Sequence, residues 1–321
     1  MKSFSTGSYL PPFVLTNEML SEYVDTDSEW IIQRTGIEER RVSQGESTAK
    51  LGEQAARKAI EAAGIDIRDI DLIIFATVTP DGLAPTTASY MQGMLGIENA
   101  IAFDLVAGCT GFVYAMSVAD SMIRSKLARH ALIVGSEVFS KCLDYEDRGS
   151  CILFGDGAGA MVMSAETSSK IEDIYLNGSF DKNLSIVIDS AQPIDEFPPK
   201  RRQEMPKLLK LDGKEVYKFA VPALEDCVRT LLERNDLTGD DITYIIPHQA
   251  NKRIVASAAK SLKLSQDKFF MNIHKYGNTS SASIPIALDE MDRAGLLKSG
   301  DRIILAGFGA GLTWGSILIK W

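Results

Sequence analysis

The chain has 321 residues, 45% of them hydrophobic and 24% charged, with a formal net charge of -9. That is enough apolar material for a large buried core and for two similar halves, and the acidic balance excludes bulk attraction to nucleic acid. The four cysteines form no close pair, which excludes a disulfide framework or a cysteine-rich metal site and fits a reducing cytoplasm. Met1 to Phe13 lacks the basic and long apolar segments of a signal peptide. No apolar run reaches the roughly 18 residues of a membrane span.

Taken in order, Lys50 to Ala63 carries Leu51, Ala55, Ala59, Ile60 and Ala63 at helical spacing, with Gly64 as the C-cap. Asp69 to Phe75 reads as a short acidic lead into a buried strand. Phe103 to Val106 ends a further strand pattern, Ala107 and Gly108 follow, and Cys109 opens a mostly apolar helix expected over Gly108 to Lys126. A thiol at a helix start meets unpaired N–H groups and a dipole that favour the thiolate, the nucleophile of acyl transfer. Cys142 and Cys151 fall in or beside strand-like segments and Cys227 on a helix. Phe154 to Gly159 lacks a phosphate-loop lysine and dinucleotide spacing, so its glycines read as a tight strand turn. Ser179 to Lys210 is polar, with Pro193, Pro198, Pro199, Pro206 and the cluster Lys200-Arg201-Arg202. It reads as a mobile surface excursion, either a specificity loop at the site mouth or a solvated loop without a role. Leu224 to Leu232 is helix-like, and Asp241 to Pro247 repeats the acidic-lead strand pattern.

Two strand pairs share one offset. Asp69 to Phe75 and Asp241 to Pro247 lie 172 residues apart, as do Ala131 to Gly135 and Ile303 to Gly307. A common offset argues for a duplicated half.

Of three histidines, His130 precedes a strand and reads as a surface residue, and His274 reads as structural. His248 ends a strand, where active-site residues of open α/β sheets gather. Asn278 follows in Tyr276-Gly277-Asn278-Thr279-Ser280. Lys252, Arg253, Lys260 and Lys263 form a basic helical face, ordinarily a solvated one.

Ala107-Gly108-Cys109-Thr110-Gly111-Phe112, Pro247-His248-Gln249-Ala250-Asn251-Lys252-Arg253 and Tyr276-Gly277-Asn278-Thr279-Ser280-Ser281-Ala282-Ser283 closely resemble the β-ketoacyl-acyl-carrier-protein synthase III family of the thiolase superfamily. Asp27 to Ile37, Asp147-Arg148-Gly149, Phe154 to Gly159 and Gly307 to Gly315 extend the resemblance over nearly the whole chain. A papain-like protease also uses Cys, His and Asn, but its cysteine lies in a different local sequence.

The resemblance implies an α/β protein with a thiolase-like five-layered α-β-α-β-α fold from two duplicated halves. Residues 1–165 would carry the nucleophile cysteine, and residues 166–321 the His and Asn. It implies a cytoplasmic homodimer with no metal, no tightly bound cofactor, no nucleic acid and no membrane. The implied reaction takes acyl-CoA as substrate and malonyl-acyl carrier protein as partner. Cys109 is acylated, malonyl is decarboxylated, and its enolate attacks the acyl-cysteine.

Neutral His248 and the Asn278 amide would donate to the enolate oxygen, and the backbone N–H groups of Cys109 and Ala310 would form the oxyanion hole. Ala310 departs from the family's three consecutive glycines and would be strained if its φ were positive. For CoA the resemblance implies Trp30, Arg34, Thr35, Arg148, Gly149, Gly213, Tyr217, Asn251 and Arg253. For carrier-protein docking it implies Gln249, Ala250, Asn251, Lys252 and Arg253. Ala84, from the partner subunit, would close the primer pocket, and its small size predicts branched or medium-length primers. A related acyltransferase of secondary metabolism, a thioesterase and a non-catalytic acyl-binding protein are the other readings. The last of these typically loses the nucleophile, which this chain keeps.

Overall fold

The computed structural model describes residues 4–188 and 208–321, and the basic and proline-rich core of the predicted excursion lies outside them. The strands in chain order are β1 (Ser5–Tyr9), β2 (Val14–Thr16), β3 (Glu39–Arg41), β4 (Leu72–Ala76), β5 (Ile101–Leu105), β6 (His130–Glu137) and β7 (Gly157–Ser164). There follow β8 (Ile171–Gly178), β9 (Ile186–Ile188), β10 (Leu209–Leu211), β11 (Tyr244–Pro247), β12 (Arg302–Gly309) and β13 (Thr313–Lys320). One sheet has the order β1-β7-β6-β4-β5 and the other the order β11-β12-β13-β8, with β2–β3 and β9–β10 as separate ribbons.

The second sheet repeats the first without its β5 edge. In the first, β4 and β6 run parallel with Leu72 opposite Ala131. In the second, β11 and β12 run parallel with Tyr244 opposite Ile303. Both members of the pair have moved on by 172 residues, so the predicted offset holds to the register. Such strands need cover on both faces, and every residue of β4 is buried.

The cover makes five layers. The helix Thr48–Ala63 lies on the outer face of the first sheet, packing Leu51, Ala55 and Ala59 against Ile73, Phe75 and Leu132. Ser47 caps its N-terminus and Gly64, at φ 64°, ends it. The helices Gly111–Arg124 and Ser283–Arg293 fill the space between the sheets, where Phe112, Met116, Leu288 and Met291 meet Ile74, Ile246 and Leu305. The helices Gly213–Arg234 and Lys252–Leu262 cover the outer face of the second sheet. Each large apolar side chain in these layers contributes roughly 1.5–3 kcal/mol by leaving water. Among the described residues no helix is long and apolar enough to cross a membrane.

Three expectations are corrected. The helix expected from Gly108 begins at Gly111, and Gly108–Thr110 forms a separate 3-10 turn. Cys142 follows the 3-10 turn Phe139–Lys141 and Cys151 ends the short helix Arg148–Cys151, so neither belongs to a strand. The described ends of the Ser179–Lys210 stretch are not a solvated loop: β9 and β10 pair antiparallel, with Leu209 opposite Ile188. Their alternate apolar residues were diluted by the polar sequence between them.

Candidate active site

Cys109 occupies the middle of the 3-10 turn that links β5 to the central helix Gly111–Arg124. The turn starts at Gly108 with φ 54°, where a side chain would also collide with Ala310: an added Cβ would lie 2.9 Å from its amide nitrogen. Glycine is therefore required on both counts. The β12–β13 turn presses equally close on the other side, since a Cβ on Gly309 would lie 2.7 Å from the Cys109 nitrogen. The backbone of Cys109 and that of Ala310 are thus neighbours. The positive φ of this turn falls on Gly311, at 140°, and Ala310 is free of that strain.

The expected helix-start thiolate is corrected by burial. Desolvation pushes the Cys109 thiol up to about 12, and the Ser280 hydroxyl offsets only part of this. The resting site holds a thiol, because the cost of a charge in this apolar setting exceeds what a position two residues before the helix offers.

His248 follows the last residue of β11, and its N–H donates to Ala306 O on β12 at 2.7 Å. The side chain is 1% exposed, stands edge-on to Phe308 at 5.3 Å, and places Nδ1 2.8 Å from Ser283 Oγ. Burial lowers its pKa to about 3, so the imidazole is neutral. Asn278 is held by its backbone: its N–H donates to Leu153 O at 2.8 Å and its carbonyl accepts from Gly155 N–H at 3.1 Å. Asn278 Oδ1 accepts the Ser280 N–H at 2.8 Å, which orients the amide and leaves its NH2 as the free end.

Cys109, His248 and Asn278 line one cavity of about 360 Å³. Apolar residues make most of the rest of its wall, including Phe139, Phe154, and Ile186, Ile188, Leu209 and Leu211 of the ribbon. Gly213, Tyr217, Ala250 and Asn251 line the same cavity. Such a site offers a soft nucleophile, a neutral ring nitrogen and an amide donor in a dry, apolar pocket, the setting in which fixed donors act most strongly on developing negative charge.

Outside the cavity, the Arg148 and Arg34 guanidinium groups lie over the Trp30 ring at 4.9 and 5.8 Å from its centroid. Gly149 is exposed beside Arg148. Thr35 is buried, its hydroxyl donating to Ile31 O and accepting from Ile37 N–H, so it acts within the fold. Asn251 Oδ1 caps the helix Lys252–Leu262 at Arg253 N, and its amide donates to Arg34 O. Tyr217 OH lies 2.8 Å from Ser257 Oγ. Lys252, Arg253 and Lys260 are exposed on one helix. Gln249, expected on the docking surface, is corrected: it is 1% exposed, and its side chain bonds Pro247 O, Phe270 O and Asn272 N–H. Ala84 is exposed and does not line the cavity within this chain.

Sequence reading missed three residues. Glu137, fully buried at the end of β6, accepts from Thr77, Thr79 and Ser281 hydroxyls and from the Val78 and Thr79 N–H groups. It ties the loop after β4 to the turn after Asn278. An acid closing an apolar strand was the available signal. Ser280 lines the cavity with φ 49°, and its buried hydroxyl acts on the Cys109 thiol. Ser283 carries His248.

The profile described as 3-oxoacyl-[acyl-carrier-protein] synthase III matches residues 103–178, and that of its C-terminal part matches residues 232–321. A protein named β-ketoacyl-[acyl-carrier-protein] synthase III from Clostridium novyi is 46% identical over 323 residues, covering 100% of this chain and 99% of its own. The crystal structure of 3-oxoacyl-[acyl-carrier-protein] synthase III from Aquifex aeolicus superposes with TM-score 0.91 at 40% identity, covering 99% of this chain and 98% of that one. The priming β-ketosynthase of the R1128 polyketide pathway superposes with TM-score 0.89 at 34% identity, covering 98% and 95%.

Proposed function

This chain belongs to the β-ketoacyl-acyl-carrier-protein synthase III family, and we propose how its own residues perform that family's reaction. It is a condensing acyltransferase that initiates fatty acid synthesis. In our reading Cys109 gives up its proton, its sulfur bonds the acyl carbon of an acyl-CoA, and CoA leaves as the thiol. The oxyanion formed on the way takes the backbone N–H groups of Cys109 and Ala310. Malonyl-acyl carrier protein then loses carbon dioxide. Its enolate oxygen takes donors from His248 and Asn278, and its carbon bonds the acyl carbon as the Cys109 sulfur departs and takes up a proton from solvent to restore the thiol.

The observation that carries this reading is the convergence of a thiol, a neutral imidazole and an oriented amide on one apolar cavity. Among the described residues that line the cavity there is no charged base, which suits enolate stabilisation by neutral donors.

The CoA nucleotide takes Trp30, Arg34, Arg148 and Gly149, with Thr35 bracing the helix end behind them. Gly213, Tyr217, Asn251 and Arg253 follow the pantetheine arm. Ala250, Asn251, Lys252 and Arg253 receive the acidic carrier protein. The enzyme works as a cytoplasmic homodimer of two-half subunits, 1–165 and 166–321, without a tightly bound cofactor. Ala84 of each subunit closes the other's primer pocket. Its small side chain leaves room for several methylenes, each worth about 0.8 kcal/mol when buried, so primers beyond acetyl are accepted and Ala84→Phe narrows the range.

Incubation with a series of acyl-CoAs followed by intact mass, with and without malonyl-acyl carrier protein, tests the reading. Acyl addition to Cys109 that disappears on condensation is expected. Acyl release as free acid would instead make the protein a thioesterase. A second reading, priming for a polyketide, is supported by the R1128 relative and is separated by which carrier protein is the better acceptor.

A further inference from the structure

The Ser283 hydroxyl sits at a junction that the reaction scheme leaves unused. Ser283 is the first residue of a central helix and is 2% exposed. Its Oγ has three polar neighbours: His248 Nδ1 at 2.8 Å, Ser280 O at 2.8 Å and Gln249 N at 3.3 Å. Gln249 N–H can only donate. Ser280 O can only accept, and it already takes the Ser283 backbone N–H. Among the described residues nothing else bonds His248 Nδ1. One hydroxyl proton therefore has two acceptors, of which one keeps a partner without it and the other does not.

We propose that Ser283 is a positioning residue that donates to His248 Nδ1 and so holds the imidazole proton on Nε2. With Nδ1 committed to Ser283, Nε2 is the ring nitrogen left for the cavity that His248 lines. In this state every group at the junction is paired: Gln249 N–H to Oγ, Oγ–H to Nδ1, and Ser283 N–H to Ser280 O. The opposite tautomer would turn a bare lone pair toward the enolate oxygen and repel it. Which nitrogen carries the proton follows from the partner of the other one.

A consequence concerns the first half-reaction. A proton on Nδ1 would have no exit, because neither a peptide N–H nor a peptide carbonyl carries it onward. The tautomer set by Ser283 persists through the cycle, and His248 enters each step as an N–H donor. It is then not the base for Cys109. The inference rests on the reading of His248 as an enolate donor.

The test uses the full-length enzyme labelled with 15N-histidine, the His248 signals being assigned by their loss in His248→Gln. NMR of the unsubstituted protein should show a protonated Nε2 and a bare Nδ1, and a protonated Nδ1 would overturn the proposal. Ser283→Ala should mix the tautomers and slow decarboxylation of malonyl-acyl carrier protein roughly tenfold to a hundredfold, as expected for a weakened oxyanion donor. Its Cys109 acylation should stay within about twofold, and Ser283→Thr, which keeps the hydroxyl, should recover decarboxylation. An unchanged tautomer and rate in Ser283→Ala, or equal loss of both half-reactions, would overturn it. If His248→Ala decarboxylates normally, the enolate reading fails instead, whatever the tautomer proves to be.

Discussion

The turn Gly108–Thr110 and the turn Ser280–Ala282 are 172 residues apart, as the paired strands are. Each is a 3-10 turn leading into a central helix, at Gly111 and at Ser283, and each opens with a positive φ, 54° at Gly108 and 49° at Ser280. Each also needs a glycine on a facing strand. A Cβ on Gly307 would lie 3.0 Å from Thr110 Cα, and one on Gly135 would lie 2.4 Å from Ser281 O. The backbones correspond, yet the chemistry differs. Cys109 opens onto the cavity, whereas Ser281, its counterpart, is buried and donates to Ala76 O or Glu137 at 2.9 and 2.8 Å. Gly108 must lack a side chain because Ala310 crowds it. Ser280 bears one, at a strain of about 1 kcal/mol, and lines the cavity with it. Duplication supplied two copies of one turn; one copy opens a thiol onto the cavity, and the other turns the Ser280 hydroxyl to the same cavity and buries that of Ser281.

The sharpest way to break this comparison is to move the nucleophile. Cys109→Ala should lose acyl labelling and condensation by about 10⁴-fold or more, as removal of a covalent nucleophile does. Adding Ser281→Cys to that variant should restore nothing, since position 281 faces Glu137. Intact mass after acyl-CoA treatment reads both. An acyl label on the thiol introduced at position 281 would mean that the two turns are interchangeable.

A second experiment separates the two copies by step. Asn278→Ala removes a donor that belongs to the Ser280 side of the site. It should keep Cys109 labelling while decarboxylation and condensation fall about a hundredfold. Assays of label and of carbon dioxide release check this separately. Normal carbon dioxide release with failed labelling would reverse the roles.

The pH dependence of the thiol sharpens the contrast between position and environment. Burial raises the Cys109 thiol to about 12, so the thiolate fraction grows with pH throughout the working range. Alkylation of Cys109 by iodoacetamide, in enzyme free of acyl-CoA, should climb about tenfold per pH unit from 7 to 10 without levelling. A plateau below pH 8 would show that the turn stabilises the thiolate without substrate.

Periodicity and a shared offset were legible because they record backbone facts: strands buried on both faces, a helix ended by Gly64, and a register carried over between halves. Cys109, His248 and Asn278 were legible because their neighbours are distinctive. What escaped were groups whose meaning comes only from distant partners. Glu137 looks like an ordinary strand end until Thr77, Thr79 and Ser281 surround it. Gln249 sits inside a surface-like motif, and only the backbone of Phe270 and Asn272 explains why it is buried. The thiol's charge state was misjudged because a helix start is local and desolvation is not.

The two halves differ most where their antiparallel strands connect, and there the smallest effect is expected. β6 reaches β7 through residues 138–156, which supply Phe139, Leu153 and Phe154 to the cavity. β12 reaches β13 through residues 310–312 alone. So short a turn would be expected to depend on glycine throughout, yet only Gly311 carries the positive φ. The amide of Ala310 remains beside Cys109 with or without its methyl group. Ala310→Gly should therefore change the acylation rate by less than about twofold. It should lower stability by roughly 0.5–1 kcal/mol, the cost of a more flexible unfolded chain. Single-turnover acylation and urea unfolding measure the two. A tenfold fall in acylation would mean that the methyl group positions the amide, and that this connection is as specialised as its longer counterpart.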